Sequence, residues 1–381
     1  MVMLLDFVHQ TTRILDEKIV ENIHKYREAL IWGTGESGEW VREYLEAKKI
    51  TPACYIDNYK PRQGTEKNGI RILSFEDAIL EYKDACICIG SLWADEIISQ
   101  IREYNQEILE RTIDFRGAMV WEIKEKIFQS DEIEHIKANM DRYDDLEKKL
   151  CDVESQKVLK GLLNYRMTRD NSYLRDIECA GEEYVDNAVV PSALFCNDDA
   201  EIIDGGAFDG DTIDLLLKYF DSDRITIHCY EPSKDNAKRI REKEKKLTDV
   251  DIVIHESGLQ ENSGKGFFSG NGLGGSVAES KENGTNESDV LMECIDDSTW
   301  SNLRLIKLDI EGAERDALKG GLKSIRQYRP VLAICAYHKQ DDLLILGDFI
   351  SNLDNYRIYL RHYMNATSET IMYGVPDELC N

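Results

Sequence analysis

The chain has 381 residues, a length typical of two or three domains rather than of one compact core. Its 42% hydrophobic and 31% charged residues are typical of a globular protein and argue against a disordered chain. The formal charge of −26 at pH 7 disfavours nucleic acid and anionic lipid surfaces as partners. No apolar run approaches the roughly 20 residues that cross a bilayer, and ten scattered cysteines without a paired framework indicate a reducing compartment. We therefore predict a cytoplasmic protein without a membrane span.

The first third of the chain alternates short apolar runs with helical periodicity. The first 30 residues are predicted to be helical, and residues 29–32, 53–56 and 85–89 are predicted strands separated by helices. Strands that alternate with helices indicate a parallel sheet covered on both faces. We expect a Rossmann-like domain over residues 1–118.

A glycine-rich turn follows the first predicted strand of this domain. Gly33, Gly35 and Gly38 have the spacing of a dinucleotide-binding turn, and Asp57 ends the next strand, but Glu36 places a negative charge where a phosphate would lie. The segment resembles the N-terminal Rossmann-type domain of bacterial sugar acyltransferases, which implies that it holds a nucleotide sugar. The sequence predicts a second nucleotide site at Gly33, Gly35, Gly38 and Asp57. A packing or oligomerisation module and an NAD site remain alternatives.

Residues 119–180 show dense charge and helical periodicity without a strand pattern. We predict a helical connector, with a lid or a dimerisation arm as the alternative. The oligomeric state stays open.

A second alternating series occupies residues 181–381. The predicted strands are 200–203, 225–230, 252–255, 303–308 and 331–336, followed by a hairpin formed by 356–364 and 370–375. Residues 260–288 are rich in glycine, serine and asparagine, and we predict a polar loop that covers an acceptor, or an insertion. The fold class is α/β, with two Rossmann-like three-layer domains, the second ending in an antiparallel hairpin.

Three carboxylates end three strands of the second domain. Asp204 precedes a turn that contains Gly206 and Gly210, Glu231 ends the second strand, and Asp309 ends the fourth. In open parallel sheets, ligands bind beyond the carboxyl ends of the strands. Asp204 suits a cationic group such as an ammonium, whereas Glu231 can accept two ribose hydroxyls. A tight turn without a ligand is the structural alternative for the glycines.

Three stretches, residues 204–212, 230–232 and 306–314, resemble the FkbM-type S-adenosylmethionine-dependent methyltransferases, and the likeness covers roughly residues 185–375. The resemblance implies a class I methyltransferase sheet of seven strands whose last two form an antiparallel hairpin. It also implies that the turn after the first strand cradles the methionine part of the cofactor and that Glu231 holds its ribose. The predicted cofactor-binding residues are Asp204, Gly205, Gly206, Ala207, Gly210, Asp211, Thr212, Glu231, Pro232 and Ser257.

Methyl transfer to a sugar hydroxyl requires alignment and a base, which typically contributes ~10²–10⁴-fold. His338 follows the fifth strand and is the preferred base, because an imidazole titrates near neutral pH. Asp309 is the alternative base or a residue that orients the substrate. Asp309 and Glu311 are an alternative Mg²⁺-binding pair, although the glutamate also suits the start of a helix.

These observations predict an S-adenosylmethionine-dependent O-methyltransferase that acts on a hydroxyl of a sugar or glycoconjugate, which is free, nucleotide-linked or lipid-linked. A non-catalytic nucleotide-binding module and an NAD-dependent sugar-nucleotide enzyme are the competing interpretations. The sequence does not fix which hydroxyl is methylated.

Overall fold

The computed structural model describes residues 20–91, 93–115, 129–168, 172–194, 199–220, 225–247, 250–270, 275–278 and 288–380. The chain divides into two compact units. Unit 1 comprises Met1–Ala138, Gly161–Asp176 and Asn365–Thr367, and unit 2 comprises Asn139–Lys160, Ile177–Met364 and Ser368–Asn381. The domain boundaries predicted at residues 118 and 180 stay predictions. Of the first 30 residues, which are predicted to be helical, residues 1–19 lie outside the described residues.

Unit 1 is built on a six-stranded sheet. Its elements are β1 (Ala29–Trp32), α1 (Glu36–Ala47), β2 (Pro52–Ile56), β3 (Glu66–Lys67), β4 (Ile70–Leu73), α2 (Phe75–Glu81), β5 (Cys86–Ile89), α3 (Ala94–Asn105) and β6 (Thr112–Asp114). The strand order is β3-β4-β2-β1-β5-β6, and every pair is parallel except β3 with β4. Leu30 and Trp32 pack in the core on one face of the sheet, whereas Ile31 packs with Val41 and Leu45 on the other. This alternation confirms the predicted sheet that is covered on both faces.

The described part of the region predicted to be helical contains four helices. They are α4 (Gln129–Ala138), α5 (Met140–Lys149), α6 (Val153–Thr168) and α7 (Ser172–Arg175). Within unit 2, Asp152 accepts the backbone N–H of Ser155 at 2.7 Å and thereby caps the first turn of α6. The same carboxylate pairs with Arg361 of the carboxy-terminal hairpin, at 2.6 Å from its guanidinium. The start of α6 is therefore fixed to the sheet of unit 2 by an ion pair between a buried arginine and a half-buried aspartate.

Unit 2 contains two sheets. In chain order its elements are β7 (Ala200–Gly205), α8 (Asp211–Tyr219), β8 (Ile225–Tyr230), α9 (Lys234–Glu244), β9 (Asp251–His255), β10 (Ser257–Leu259), β11 (Gly264–Gly270), β12 (Gly275–Ala278), β13 (Ser288–Glu293), β14 (Leu303–Leu308), α10 (Glu314–Gly320), α11 (Leu322–Tyr328), β15 (Val331–Cys335), α12 (Asp342–Ser351), β16 (Tyr356–His362) and β17 (Thr370–Pro376). The larger sheet has the order β16-β17-β15-β14-β7-β8-β9. Only β17 runs antiparallel to its two neighbours, which confirms the predicted methyltransferase sheet with its terminal hairpin.

The smaller sheet occupies the segment predicted to be a loop. Its order is β10-β13-β11-β12, with β11 antiparallel to both β12 and β13. The prediction of a polar loop over residues 260–288 is wrong for the described part of this segment, and residues 271–274 and 279–287 lie outside the described residues. Glycine and serine have low strand propensity, so the strands depend on cross-strand partners such as Val290 and Met292, which are buried.

The order of the larger sheet determines where a ligand can bind. From β7 the chain proceeds to β8 and β9 on one side, and returns to β14 and β15 on the other. The carboxyl end of β7 is therefore the switch point at which open α/β sheets form a crevice. Separately, none of the helices in the described ranges combines the length and apolar character that a bilayer crossing requires.

Candidate functional site

A cavity of about 350 Å³ lies beyond the carboxyl ends of β7, β8 and β14. The predicted cofactor-binding residues on its wall are Gly206, Asp211, Thr212, Glu231 and Pro232. The wall does not include Asp204, Gly205, Ala207, Gly210 or Ser257, all of which are described residues. Ser257 is fully buried and donates its hydroxyl hydrogen bond to Glu293 at 2.7 Å.

The turn after β7 approaches the end of β14 closely. Gly206 has a φ of +74°, and a Cβ atom at this position would overlap the carbonyl oxygen of Asp309. Only glycine adopts such a left-handed conformation without steric cost. Gly210 has a φ of +84° and immediately precedes α8, so the second glycine of the motif serves the entry into the helix. The spacing read from the sequence thus reflects two separate backbone requirements.

Asp204 lies inside β7, opposite Lys307 of β14 in the parallel register. The Lys307 ammonium is 2.9 Å from the Asp204 carboxylate and also donates to the carbonyl oxygen of Gly206 at 2.9 Å. Burial raises the pKa of Asp204, and the ammonium opposes that rise. Asp204 is completely buried, so its charge partner in this structure is an internal lysine, and Lys307 reaches the cavity wall instead. Sequence reasoning missed Lys307, although a lysine inside an apolar strand was a visible signal.

Glu231 follows β8 and faces the cavity. Its two carboxylate oxygens accept the backbone N–H groups of Phe208 at 3.0 Å and Ser233 at 2.7 Å. Burial raises the pKa of Glu231, while these N–H groups stabilise the ionised form. Each oxygen keeps lone-pair capacity for a further donor. The Glu231 carboxylate is therefore held in a fixed position on the cavity wall.

Asp309 follows β14 and lines the same cavity. Its oxygens accept the hydroxyls of Tyr184 at 3.2 Å and Tyr337 at 3.1 Å, and the Nε2 atom of His338 lies 3.4 Å away. Burial would raise the pKa of Asp309, but the charges of Lys307 and His338 outweigh burial and hold that pKa below its usual range. The carboxylate is thus ionised and already surrounded by donors.

His338, the preferred base in the sequence analysis, is not on the cavity wall among the described residues. Its Nδ1 atom lies 2.9 Å from Glu314, the first residue of α10. The Glu314 carboxylate also accepts the backbone N–H of Ile310. Burial would lower the pKa of His338, but the hydrogen bond to Glu314 and the charges of Glu314, Asp309 and Glu311 raise it to about 9. At neutral pH the imidazole is protonated and forms ion pairs with carboxylates, which suits a residue that orients Asp309 better than a base.

One group of side chains at this end of the sheet has the composition of a cation site. Asp309, Glu314 and His338 each offer a ligand atom, and these atoms lie within 4.8 Å of one another. The set includes an imidazole nitrogen, whereas Mg²⁺ prefers oxygen ligands. Glu311, the predicted second ligand, points toward the same imidazole at 3.7 Å. Because the imidazolium and the carboxylates pair with each other, we assign no metal ligand here.

The structure adds two acids that the sequence analysis did not select. Glu183 and Glu369 are half-buried, line the cavity and interact with each other through their carboxyl groups. Burial and the charge of Glu369 raise the pKa of Glu183 to about 8. Glu183 lies before β7 and Glu369 lies in the turn of the hairpin, so neither belongs to a motif around a strand end.

The predicted nucleotide site of unit 1 has its own internal partners. A Cβ atom at Gly33, whose φ is +123°, would overlap the carbonyl oxygen of Gly90, so this glycine serves close packing between β1 and β5. Asp57 accepts the Thr34 hydroxyl and the backbone N–H of Tyr59, and its carboxylate pairs with Arg62 at 3.1 Å. The nucleotide site at Gly33, Gly35, Gly38 and Asp57 stays a prediction.

The comparisons with known proteins concern both units. Residues 204–363 match the family model described as the methyltransferase FkbM domain, and residues 25–113 match the model of the C2185-like N-terminal domain. No curated protein matches the sequence. The sugar acyltransferase resemblance of the first domain stays a prediction.

Among solved structures, the chain is similar to methyltransferase FkbM from Methylobacillus flagellatus KT, with 22% identity, coverage of 93% of this chain and 92% of that chain, and a TM-score of 0.68. At this identity the likeness shows the fold. A putative methyltransferase from Streptococcus mutans in complex with SAH is more distant, with 12% identity, coverage of 48% and 92%, and a TM-score of 0.31. The family match and the seven-stranded sheet agree: over residues 204–363 this chain carries a methyltransferase FkbM domain.

Proposed function

We propose that unit 2 is an S-adenosylmethionine-dependent O-methyltransferase and that its acceptor is a hydroxyl of a sugar or glycoconjugate, free or nucleotide-linked. The observation that carries this proposal is the cavity at the switch point of the sheet, with Gly206 on its floor and Glu231 on its wall. The methyltransferase FkbM domain over the same residues supports the reaction class.

The charges of the cavity favour a cationic cofactor. Six of its lining residues are acidic, namely Glu183, Asp211, Glu231, Asp309, Glu311 and Glu369, and Lys307 is the one lysine or arginine among the described residues on the wall. Such a wall favours a positively charged ligand and disfavours a free pyrophosphate. When bound, S-adenosylmethionine supplies an electrophilic methyl group on a sulfonium. Glu231 would hold its ribose, and Gly206 leaves space for the ligand against the backbone.

The carboxylates of the cavity wall support the proposal that the methyl group is transferred to a hydroxyl. Carboxylates are strong hydrogen-bond acceptors for hydroxyl groups, and Asp309 and Glu369 present them at the cavity wall. The three donors around Asp309 fix its position, which supports a role in orienting the acceptor. His338, held as an imidazolium between Glu314 and Asp309, is the residue that positions this carboxylate.

The direct test is binding and transfer with the purified chain. We expect calorimetry to show S-adenosylmethionine binding, and Glu231→Gln to weaken it ~10–100-fold, because a hydrogen bond to a charged group contributes about 1.5–3 kcal/mol. Transfer is measured with isotope-labelled cofactor and a panel of sugars and nucleotide sugars, by a mass increase of one methyl group.

The control is Glu256→Gln. Glu256 is exposed and pairs with Arg241 outside the cavity, so the same change of charge should leave cofactor affinity unaltered. Heat on titration with NAD but none with S-adenosylmethionine would overturn the proposal in favour of a redox function.

A further inference from the structure

The residues expected to act as the base are poorly suited to receive a proton. His338 is a cation at neutral pH, since its pKa is raised to about 9. Asp309 has a lowered pKa and accepts hydrogen bonds from Tyr184 and Tyr337. A base must reach the acceptor hydroxyl and have a pKa near the working pH. The base is therefore a different group on the cavity wall.

The carboxyl groups of Glu183 and Glu369 have these properties. Both line the cavity, and each is hydrogen-bonded to the other. Two carboxyls in contact cannot both ionise easily, so at neutral pH such a pair holds one proton. The charged groups that act on the pair are Asp309, which raises both pKa values, Lys307, which lowers both, and His338, which lowers that of Glu369.

The backbone around the pair is held in an unusual conformation. Tyr184 and Glu369 have φ values of 61° and 62°, and two further non-glycine residues of the same wall, Phe208 and Glu311, have 47° and 56°. A left-handed conformation is unfavourable for a residue with a side chain, and such residues cluster where a site demands a fixed geometry. Four such residues on one cavity wall indicate that the surrounding structure holds Glu183 and Glu369 in fixed positions.

We propose that Glu183 and Glu369 form a proton-sharing pair that receives the acceptor hydroxyl, with Glu369 as the catalytic base. As the bond between the acceptor oxygen and the methyl carbon forms and the bond between that carbon and sulfur breaks, the hydroxyl proton passes to the unprotonated carboxylate of the pair, and the sulfonium leaves as a thioether. Glu183, which carries the shared proton, donates to the acceptor or to Glu369 and positions it. This inference rests on the proposed function.

The kinetic test compares two matched substitutions. Glu183→Gln keeps a donor in place of the protonated carboxyl, so kcat should fall less in this variant than in Glu369→Gln. Glu369→Gln removes the base and should lower kcat ~10²–10⁴-fold, while calorimetry should show that the variant still binds S-adenosylmethionine. Glu256→Gln is the control for the loss of one negative charge. Equal kcat values for Glu369→Gln and the unsubstituted chain would overturn the inference.

A spectroscopic test needs no acceptor and separates this inference from the proposed function. Infrared difference spectra across pH 5–10 should show a protonated carboxyl band that disappears with a midpoint near 8, the pKa of Glu183, and the band should be absent in Glu183→Gln. Absence of such a band in the unsubstituted chain contradicts the shared proton, even if the enzyme transfers methyl groups. Failure to bind S-adenosylmethionine, by contrast, contradicts the proposed function and leaves the spectroscopic result to decide the pair.

Discussion

The two sheets begin with the same pattern and use it differently. In each unit a glycine turn follows the first strand of a parallel sheet, and an acid follows the second strand. In unit 1 that acid is Asp57, whose partners are Thr34, Tyr59 and Arg62 of its own neighbourhood. In unit 2 it is Glu231, whose partners are two backbone N–H groups and the side-chain amide of Asn236. A carboxylate paired with a nearby cation is neutralised in place, whereas one fixed only by N–H groups keeps its charge available to a ligand.

Substitutions in the two glycine turns are expected to show the largest difference between the units. Gly206→Ala should be the most damaging substitution, since its Cβ would overlap the carbonyl oxygen of Asp309 and its φ is +74°. Forcing β7 and β14 apart removes packing as well as the cavity floor, and we expect a loss of at least about 3 kcal/mol of unfolding free energy. Chemical denaturation and S-adenosylmethionine calorimetry measure both effects.

Gly35→Ala in unit 1 is the matched control. Gly35 is the middle glycine of the first motif, has a φ of −74°, and would place its Cβ in open space. We expect a change within about 0.5 kcal/mol, as for other unconstrained positions. If Gly35→Ala were as harmful as Gly206→Ala, the first turn would serve a constraint that the structure does not show.

Sequence reasoning predicted the topology and the acids at the strand ends, but it did not predict which charged groups those acids pair with. Alternation and glycine turns predicted both parallel sheets and the hairpin, because these depend on local periodicity. The pairing of Asp204 with Lys307 depends on the register between β7 and β14, which local patterns do not contain. Glu183 and Glu369 reach the cavity wall from segments far apart in the chain. The protonation of His338 depends on Glu314, which only the fold brings to its Nδ1 atom.

The next effect in size comes from the charge state of His338. Because its pKa is raised to about 9 in the folded chain, the imidazolium stabilises the fold below the unfolded pKa near 6.5, and this contribution disappears as the pH rises through 9. A rise of this size corresponds to about 3 kcal/mol as an upper bound. The difference in unfolding free energy between the unsubstituted chain and His338→Gln should therefore be large at pH 6 and small at pH 10.

If His338→Gln lowered the unfolding free energy by the same amount at every pH from 6 to 10, the histidine would act by packing alone. Its assignment as a charged positioning residue for Asp309 would then fail.

The smallest expected effect tests unit 1 directly. The Thr34 hydroxyl, the Tyr59 N–H and Arg62 lower the pKa of Asp57 against the opposing effect of burial. Asp57 therefore stabilises the fold above its unfolded pKa of about 3.9, and the contribution disappears as the pH falls through the lower folded value. Asp57→Asn should cost about 1 kcal/mol at pH 7, because Arg62 is half exposed, and less below pH 4. If UDP-sugars or NAD raised the melting temperature of the unsubstituted chain but not of Asp57→Asn, this carboxylate would be a ligand-binding group, and the contrast between the two sheets would no longer hold.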